Sequence, residues 1–533
     1  MSLPIRSPIT ALAAVGLIAA VAIPFLLSHD SNFFAPHVQG KNNTVLFLVN
    51  SNHGYSNVHL ATAFAMAEKD SDVSIHFGTF EKMRSRIQRI EQAARERNPD
   101  VEPISFHLLP STDYLDALNA RDIMTVDNMI TPPGLEGNKH FSSSFRWIFA
   151  PWTDEDHLAI YRRSVELIEE IDPALVVLDP MFRPAMEATQ DQNRMYTVVS
   201  PNTLELFLLD QKWGKALWKY PAVASGYDYP LPWSQIPANA MSVVRLVYHI
   251  LTVPGASESR AFLRKNGIKN PLDFIHSHRV DRPWICQAML EAAVPLDYIP
   301  ANVTAVGPIA LSLEPAEEQD PELTAWAKRK PTVLINLGSI FVYDQERARA
   351  MAEAMANIAA QVDIQFLWKF KKLHTYSDDF MKPLQPFIDE GRVRIVNWLT
   401  IDPAALLEGG DVIASVHHGG SNSYHEALSA GVPHVILPLW VDLYDFATYS
   451  EYYGIGVWGC KKTAPEWTAE GLTEAFLRVV SDREEAVARR EKARELGRKA
   501  RERPGRDIAA GLVLDLAKTG YEDEVLSPSE NNV

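Results

Sequence analysis

Short runs of apolar residues recur along this chain, and between them lie longer stretches with helical spacing. In the first half the runs are 44–49, 72–77, 175–178, 196–200 and 303–308. In the second half they are 332–337, 366–368, 393–396, 411–416 and 434–437. Runs without polar alternation read as strands covered on both faces, which predicts parallel sheets. Helices are predicted over 58–68, 154–171, 424–430, 468–480, 484–503 and 508–518, and alternation of the two kinds gives an α/β fold. Residues 98–152, with Pro132-Pro133-Gly134 and Ser142-Ser143-Ser144, are predicted as loops, and the acidic, proline-bearing 314–322 as a linker.

The densest chemistry lies between residues 397 and 447. A strand at 411–416 runs straight into His417-His418-Gly419-Gly420-Ser421-Asn422-Ser423, then a helix that stops at Gly431-Val432-Pro433. Free N–H groups and the positive end of a helix dipole would face one point there, which suits an anion such as a diphosphate. The competing reading is a plain capping box, Ser423-x-x-Glu426. His53 follows the first predicted strand, at the carboxyl end where α/β folds gather ligand groups, and a neutral imidazole suits a proton acceptor. Asp179 ends the strand 175–178 and is the carboxylate expected to orient that imidazole.

Trp398, the 418–423 run, Glu426, Gly431-Val432-Pro433, Pro438 and Trp440-Val441-Asp442 together resemble the nucleotide-sugar signature of the family 1 UDP-glycosyltransferases. The wording is nearest to fungal members. The resemblance implies a GT-B architecture, two Rossmann-like domains with parallel sheets facing across a cleft. It implies that Trp398 stacks on uracil, that His418, Gly420, Asn422 and Ser423 hold the diphosphate, that Glu426 binds the ribose, and that Asp442 binds sugar hydroxyls. Gly338-Ser339, after the strand 332–337, resembles the second diphosphate contact. The resemblance also implies that His53 takes the role of the general base, with His59, inside the following helix, as the fallback, and that Asp179 is its partner. The signature departs from its plant form in several places: Leu443 stands where plants have Gln, Phe446 where they have Asn, the Gln near its start is missing with Thr400-Ile401-Asp402 in that region, and the spacing from Trp398 to His418 is slightly longer.

The 533 residues and 47% hydrophobic content suffice for two cores, and a net charge of −16 argues against nucleic acid as a partner. Cys286 and Cys460 read as isolated buried thiols. Residues 10–27 are apolar and uncharged, with Arg6 before them and Asp30 after, so segment 1–30 reads as a signal-anchor or signal peptide. That places the body, single-pass, in the ER or secretory lumen, where Asn42-Asn43-Thr44 and Asn302-Val303-Thr304 become potential glycosylation sites. The expected layout is an acceptor domain over 40–310, a linker at 311–330, a UDP-sugar domain over 331–503, a returning helix at 504–520, and a disordered tail at 521–533. The aromatic-rich 213–237 is a candidate lining for a lipophilic acceptor, and 240–251 a helix able to touch a membrane surface.

Three patterns are set aside. Gly454-Ile455-Gly456-Val457-Trp458-Gly459 follows a helix rather than a strand, so it fails the context of a dinucleotide loop. Asp154-Glu155-Asp156 starts a helix and complements its dipole. His417 and His418 point to opposite faces of a strand. The expected activity is metal-independent, inverting transfer of a hexose, glucose first, from a UDP-sugar co-substrate to a hydroxyl of a small lipophilic acceptor. The rivals are a nucleotide-sugar binder without activity and an epimerase or hydrolase on the same scaffold. Neither a resident cofactor nor a metal is expected, and the sequence leaves the oligomeric state open.

Overall fold

A computed structural model describes residues 37–69, 72–122, 125–202, 204–274 and 282–521. The expected N-terminal segment and residues 522–533 of the tail lie outside them. From Gln39 onward the chain packs as one unit built on two parallel sheets.

The first sheet contains β1 (Lys41–Leu48), β2 (Ser74–Thr79), β3 (Ser105–Leu108), β4 (Pro173–Leu178), β5 (Tyr196–Ser200), β6 (Trp284–Cys286) and β7 (Val303–Ala305). Their spatial order is β3-β2-β1-β4-β5-β6-β7. The second contains β8 (Thr332–Ile335), β9 (Gln365–Lys369), β10 (Val393–Val396), β11 (Val412–His417), β12 (His434–Ile436) and β13 (Gly456–Trp458), in the order β10-β9-β8-β11-β12-β13. Strand order therefore reverses between β1 and β4 in one sheet and between β8 and β11 in the other. Parallel sheets leave a crevice at the carboxyl ends of such neighbours, so the folding pattern itself designates two loop pairs. Residues 49–53 meet 179–181 at the first crevice, and residues 336–339 meet 418–423 at the second.

Helices cover both faces. Phe47, Phe64 and Phe77 in the first lobe share a core with Ala509, Ala510, Val513, Leu514 and Ala517 of the helix Gly505–Thr519. The C-terminal helix thus returns to brace the first sheet. A Cβ at Gly505 would lie 2.5 Å from the Pro308 carbonyl oxygen, so the crossing needs glycine.

Several expectations fail. Residues 98–152 are largely ordered structure: β3, then helices Tyr114–Asn119, Val126–Met129 and Leu135–Phe149. Phe141, Phe145 and Phe149 recur at helical spacing beneath the serine run, and the last two stack with centroids 4.4 Å apart. The linker is folded too. Helices Ala316–Gln319 and Pro321–Ala327 bury Ala316, Leu323 and Trp326, with Asp320 accepting the Leu323 N–H at 2.9 Å as a cap. Asn302 is buried and donates to the Arg282 carbonyl at 2.7 Å, so its triplet is closed to glycosylation in the folded chain. Cys286 is buried, Cys460 only partly, and both are free thiols.

Candidate active site

A cavity of about 380 Å³ opens where the two crevices face each other. His53, Gly338, Ser339, Trp398, His418, Gly420, Asn422, Ser423 and Glu426 line it; Asp179 and Asp442, also expected there, do not.

The lower wall is the turn after β11. The helix Ser421–Ala430 starts at Gly420 with no side chain capping it, so the competing reading, a Ser423–Glu426 capping box, does not form and both side chains stay available to the cavity. Gly431, at φ +75°, closes the helix as its composition predicts. His418 is held between glycines: a Cβ on Gly338 would lie 2.7 Å from its ring, and one on Gly420 2.6 Å. Gly338 also sits at φ +82°, a conformation that L side chains resist. The His418 Nδ1 atom is buried without a hydrogen-bond partner, and burial with the nearby Lys369 cation lowers its pKa to about 4.

Behind this wall His417 points the other way. Its Nδ1 accepts the Gly419 N–H at 3.1 Å, which leaves the proton on Nε2 to be donated to His434 Nδ1 at 3.0 Å. This tautomer ties the glycine turn to β12. Leu443 and Phe446, two of the departures from the plant signature, are buried core residues, and a Cβ on Gly419 would meet the Leu443 carbonyl oxygen at 2.8 Å.

Around the cavity's rim, the Trp398 indole is 59% exposed, with the Lys369 ammonium 4.2 Å from its ring centroid. Lys369 also donates to the Gly338 carbonyl at 2.6 Å, and burial followed by repulsion from Lys371 brings its pKa down to about 8. Glu426 is raised to about 7 by burial and by the charges of Asp402 and Glu408. Asp442 precedes the helix Leu443–Tyr452, and burial lifts it to about 6. Trp440 lines the cavity near that end.

The upper wall departs most from expectation. His53 is not a loop residue but the first residue of the helix His53–Lys69. The cause is Asn52, whose side-chain oxygen accepts the Gly54 N–H at 2.7 Å and whose carbonyl accepts from Tyr55 and Ser56, a cap absent from the sequence reading. Burial, with the Arg86 and Lys369 charges, drives the His53 pKa down to about 4, so its ring is neutral at pH 7.

Asp179 does not pair with His53. It is fully buried and accepts from the Asn50 amide side chain at 2.5 Å and the Met181 N–H at 2.8 Å, while burial raises its pKa to about 7. Asn50 in turn accepts the Asn52 N–H at 2.8 Å. The aspartate thus reaches the histidine only through Asn50 and the Asn52 cap, because β1 delivers Asn50 rather than His53 to the end of β4.

Two contacts join the walls. Asn422 donates to the His53 carbonyl at 2.9 Å, and Arg89 pairs with Asp402 at 2.7 Å. Arg86, Arg89, Lys369, Asp402 and Asn50 escaped the sequence reading. Lys369 could have been found, since it ends a strand beside β8; the arginines lie on the helix Arg84–Arg97, whose charge pattern resembles any solvated face. Among the described residues no cluster of three or more His, Cys, Asp or Glu side chains is placed to share a metal ion.

Residues 263–504 match the profile of the UDP-glucoronosyl and UDP-glucosyl transferase family. Glycosyltransferase sdnJ of Sordaria araneosa is 33% identical over 469 residues, which cover 83% of this chain and 91% of that one. The chain belongs to this family of UDP-glycosyltransferases. The 2-hydroxyacylsphingosine 1-beta-galactosyltransferase of Rattus norvegicus is 23% identical across 76% of this chain and 77% of its own length. In structure, a UDP-glucosyltransferase from Polygonum tinctorium superposes with a TM-score of 0.60 at 14% identity, covering 90% of this chain and 99% of that one, which shows the shared GT-B-like fold. The protein is accordingly a glycosyltransferase that draws its sugar from a UDP-sugar.

Proposed function

We propose that this enzyme transfers a hexose, glucose in the first instance, from its UDP-sugar to a hydroxyl of a small lipophilic acceptor, with inversion at the anomeric carbon. One observation carries the reading: His53 and the Gly338/His418/Asn422/Ser423 cradle line a single cavity, with Asn422 bonded to the backbone of His53 itself. A donor whose diphosphate lies on the cradle has its anomeric carbon near a neutral imidazole.

In this mechanism Trp398 stacks on uracil, Glu426 accepts the ribose hydroxyls, and Gly338, Ser339, His418, Gly420, Asn422 and Ser423 hold the diphosphate. Asp442 lies outside the cavity wall and reaches sugar hydroxyls only if the donor extends toward it. His53 takes the acceptor's proton as the acceptor oxygen bonds the anomeric carbon. The bond from that carbon to the β-phosphate oxygen breaks, and UDP leaves with the electron pair. The diphosphate's charge offsets Arg86 and Lys369, which raises the basicity of His53 when the donor is in place. Lys369, Arg86 and the helix N-terminus supply the positive potential that stabilises the departing UDP without a metal. Asp179 acts as a positioning residue, fixing the His53 turn through Asn50.

The galactosyltransferase relative, named for a hydroxyacylsphingosine, supports a lipophilic acceptor. An apolar N-terminal run supports a membrane-anchored body on the lumenal side. Screening UDP-sugars against sterols, terpenoids and phenolics with mass detection tests the proposal. A hexoside of one such alcohol is expected, and UDP-sugar turnover that yields only free sugar or an epimer would overturn it.

A further inference from the structure

Of the twelve large hydrophobic side chains exposed among the described residues, six come from one 40-residue stretch: Leu209, Trp213, Trp218, Trp233, Met241 and Tyr248. Trp213 and Trp233 are 87% and 89% exposed, more than any other large apolar residue described. A soluble surface carries scattered apolar residues, but a cluster of this kind marks a contact surface. Trp213 is moreover held at φ +63°, a costly conformation for a side chain of this size, in a turn that displays its indole instead of packing it.

The cluster has a helical platform. Helix Ile236–Thr252 buries Asn239, Ser242, Val243 and Leu246, and packs against helix Leu135–Phe149 on one side and the short helix Lys215–Trp218 on the other. Its opposite arc carries Pro237, Met241, Val244, Tyr248 and Leu251 at helical spacing, with no charged residue among them. The continuous stretch Ile236–Lys265 is apolar and long enough to cross a bilayer, yet it is broken into two helices and built into the lobe. It lies along a surface rather than spanning one.

Charge decides the occupant. The whole chain is strongly acidic, at −16, but this region inverts the sign. Residues 209–265 hold seven lysines and arginines against Asp210, Asp228 and Glu258; Asp297 pairs with Lys215 and Lys219, which leaves Lys212, Arg264 and Lys265 as the exposed cations of the border. Exposed indoles with an uncharged helical arc, bordered by lysine and arginine, match the interface between acyl chains and anionic headgroups. A second copy of an acidic chain would bring no such complementarity.

We infer that residues 209–252 form a docking face for the surface of a lipid bilayer bearing anionic headgroups. The face lies outside the proposed catalytic cavity, and the inference does not rest on the transfer reaction. Trp213 and Trp233 insert to headgroup depth, the Met241/Tyr248 arc lies against the acyl boundary, and Lys212 with Arg264 and Lys265 meets the lipid phosphates.

The full-length protein, reconstituted into phosphatidylcholine/phosphatidylserine vesicles, tests this by tryptophan fluorescence quenching with lipids brominated near the glycerol. Trp213→Phe/Trp233→Phe should remove most of the bromine-dependent quenching, and Met241→Glu/Tyr248→Glu should do the same while all twelve tryptophans remain. Catalytic rate on a water-soluble acceptor should stay within about twofold in both variants, since the cavity is lined by no residue of the helix Ile236–Thr252 and, contrary to the sequence expectation, by none of 213–237. Replacing phosphatidylserine by phosphatidylcholine should weaken quenching severalfold. Quenching unchanged by both double variants would overturn the inference. So would a loss of quenching that tracks dissociation of a dimer in analytical ultracentrifugation, because the face would then belong to a second copy.

Discussion

The two lobes use the same strand order and place their working groups at the same kind of crevice, yet they build those groups differently. In the C-terminal lobe the cradle is a contiguous turn, His418 to Ser423, backed by Gly338 and by a buried imidazole pair. In the N-terminal lobe the proposed base is assembled from separated segments: His53, capped by Asn52, steadied by Asn50 and through it by Asp179. The first arrangement is local and dominated by backbone, so it tolerates no added bulk. The second is long-range and dominated by side chains, so it degrades in steps.

The sharpest way to break this contrast is to add a methyl group to the cradle. Gly338→Ala meets His418 and forces an unfavourable φ, so UDP affinity should fall by more than about 100-fold, about 3 kcal/mol, read by calorimetric titration. Trp398→Ala removes only a stacking face and should weaken UDP by about 10- to 100-fold. In the other lobe, Asp179→Asn leaves the Asn50 amide facing a second amide and should lower kcat about 10- to 50-fold while the KM for the UDP-sugar stays within about twofold. Asn50→Ala should act in the same way, and the two losses should not add, because one chain of hydrogen bonds carries both. An equal rise in KM would show that the lobes do not divide the work as described.

Acid should find the cradle. Burial holds His417 well below its usual pKa, His425 at about 4 and His434 at about 3, whereas the unfolded chain protonates them near 6.5. Between those limits the unfolded chain binds more protons, so this contribution to stability is present above pH 6.5 and is lost as pH falls toward 4. The thermal midpoint should drop across that window, and less so in His434→Gln. Smallest of all should be Arg89→Ala. It removes the partly exposed ion pairs of Arg89 with Asp402 and Glu314, each worth about 0–1 kcal/mol, and it should shift the thermal midpoint by no more than a few degrees.

The same contrast explains what could be read from the sequence. The cradle was legible because its residues are adjacent in the chain and its signature is ordered. The βαβ pattern also gave the α/β class and most strands. The short β3, β6 and β13 carried too few residues to stand out. Helix Leu135–Phe149 was hidden by three serines laid over its phenylalanine stripe. The pairing of Asp179 was misassigned because a strand-end aspartate says only that it reaches the crevice. Which neighbour meets it depends on where β1 stops, and Asn52 started the helix five residues earlier than the apolar pattern indicated.

In the proposed mechanism the C-terminal lobe holds the nucleotide while His53 of the N-terminal lobe removes the acceptor's proton. Calorimetric titration of UDP into wild type and His53→Ala, paired with single-turnover rates on one lipophilic alcohol, tests it most directly. UDP affinity is expected to stay within about twofold of wild type, with transfer slowed by about 10²- to 10⁴-fold. Transfer at the wild-type rate, or UDP affinity that falls as far as the rate does, would contradict it.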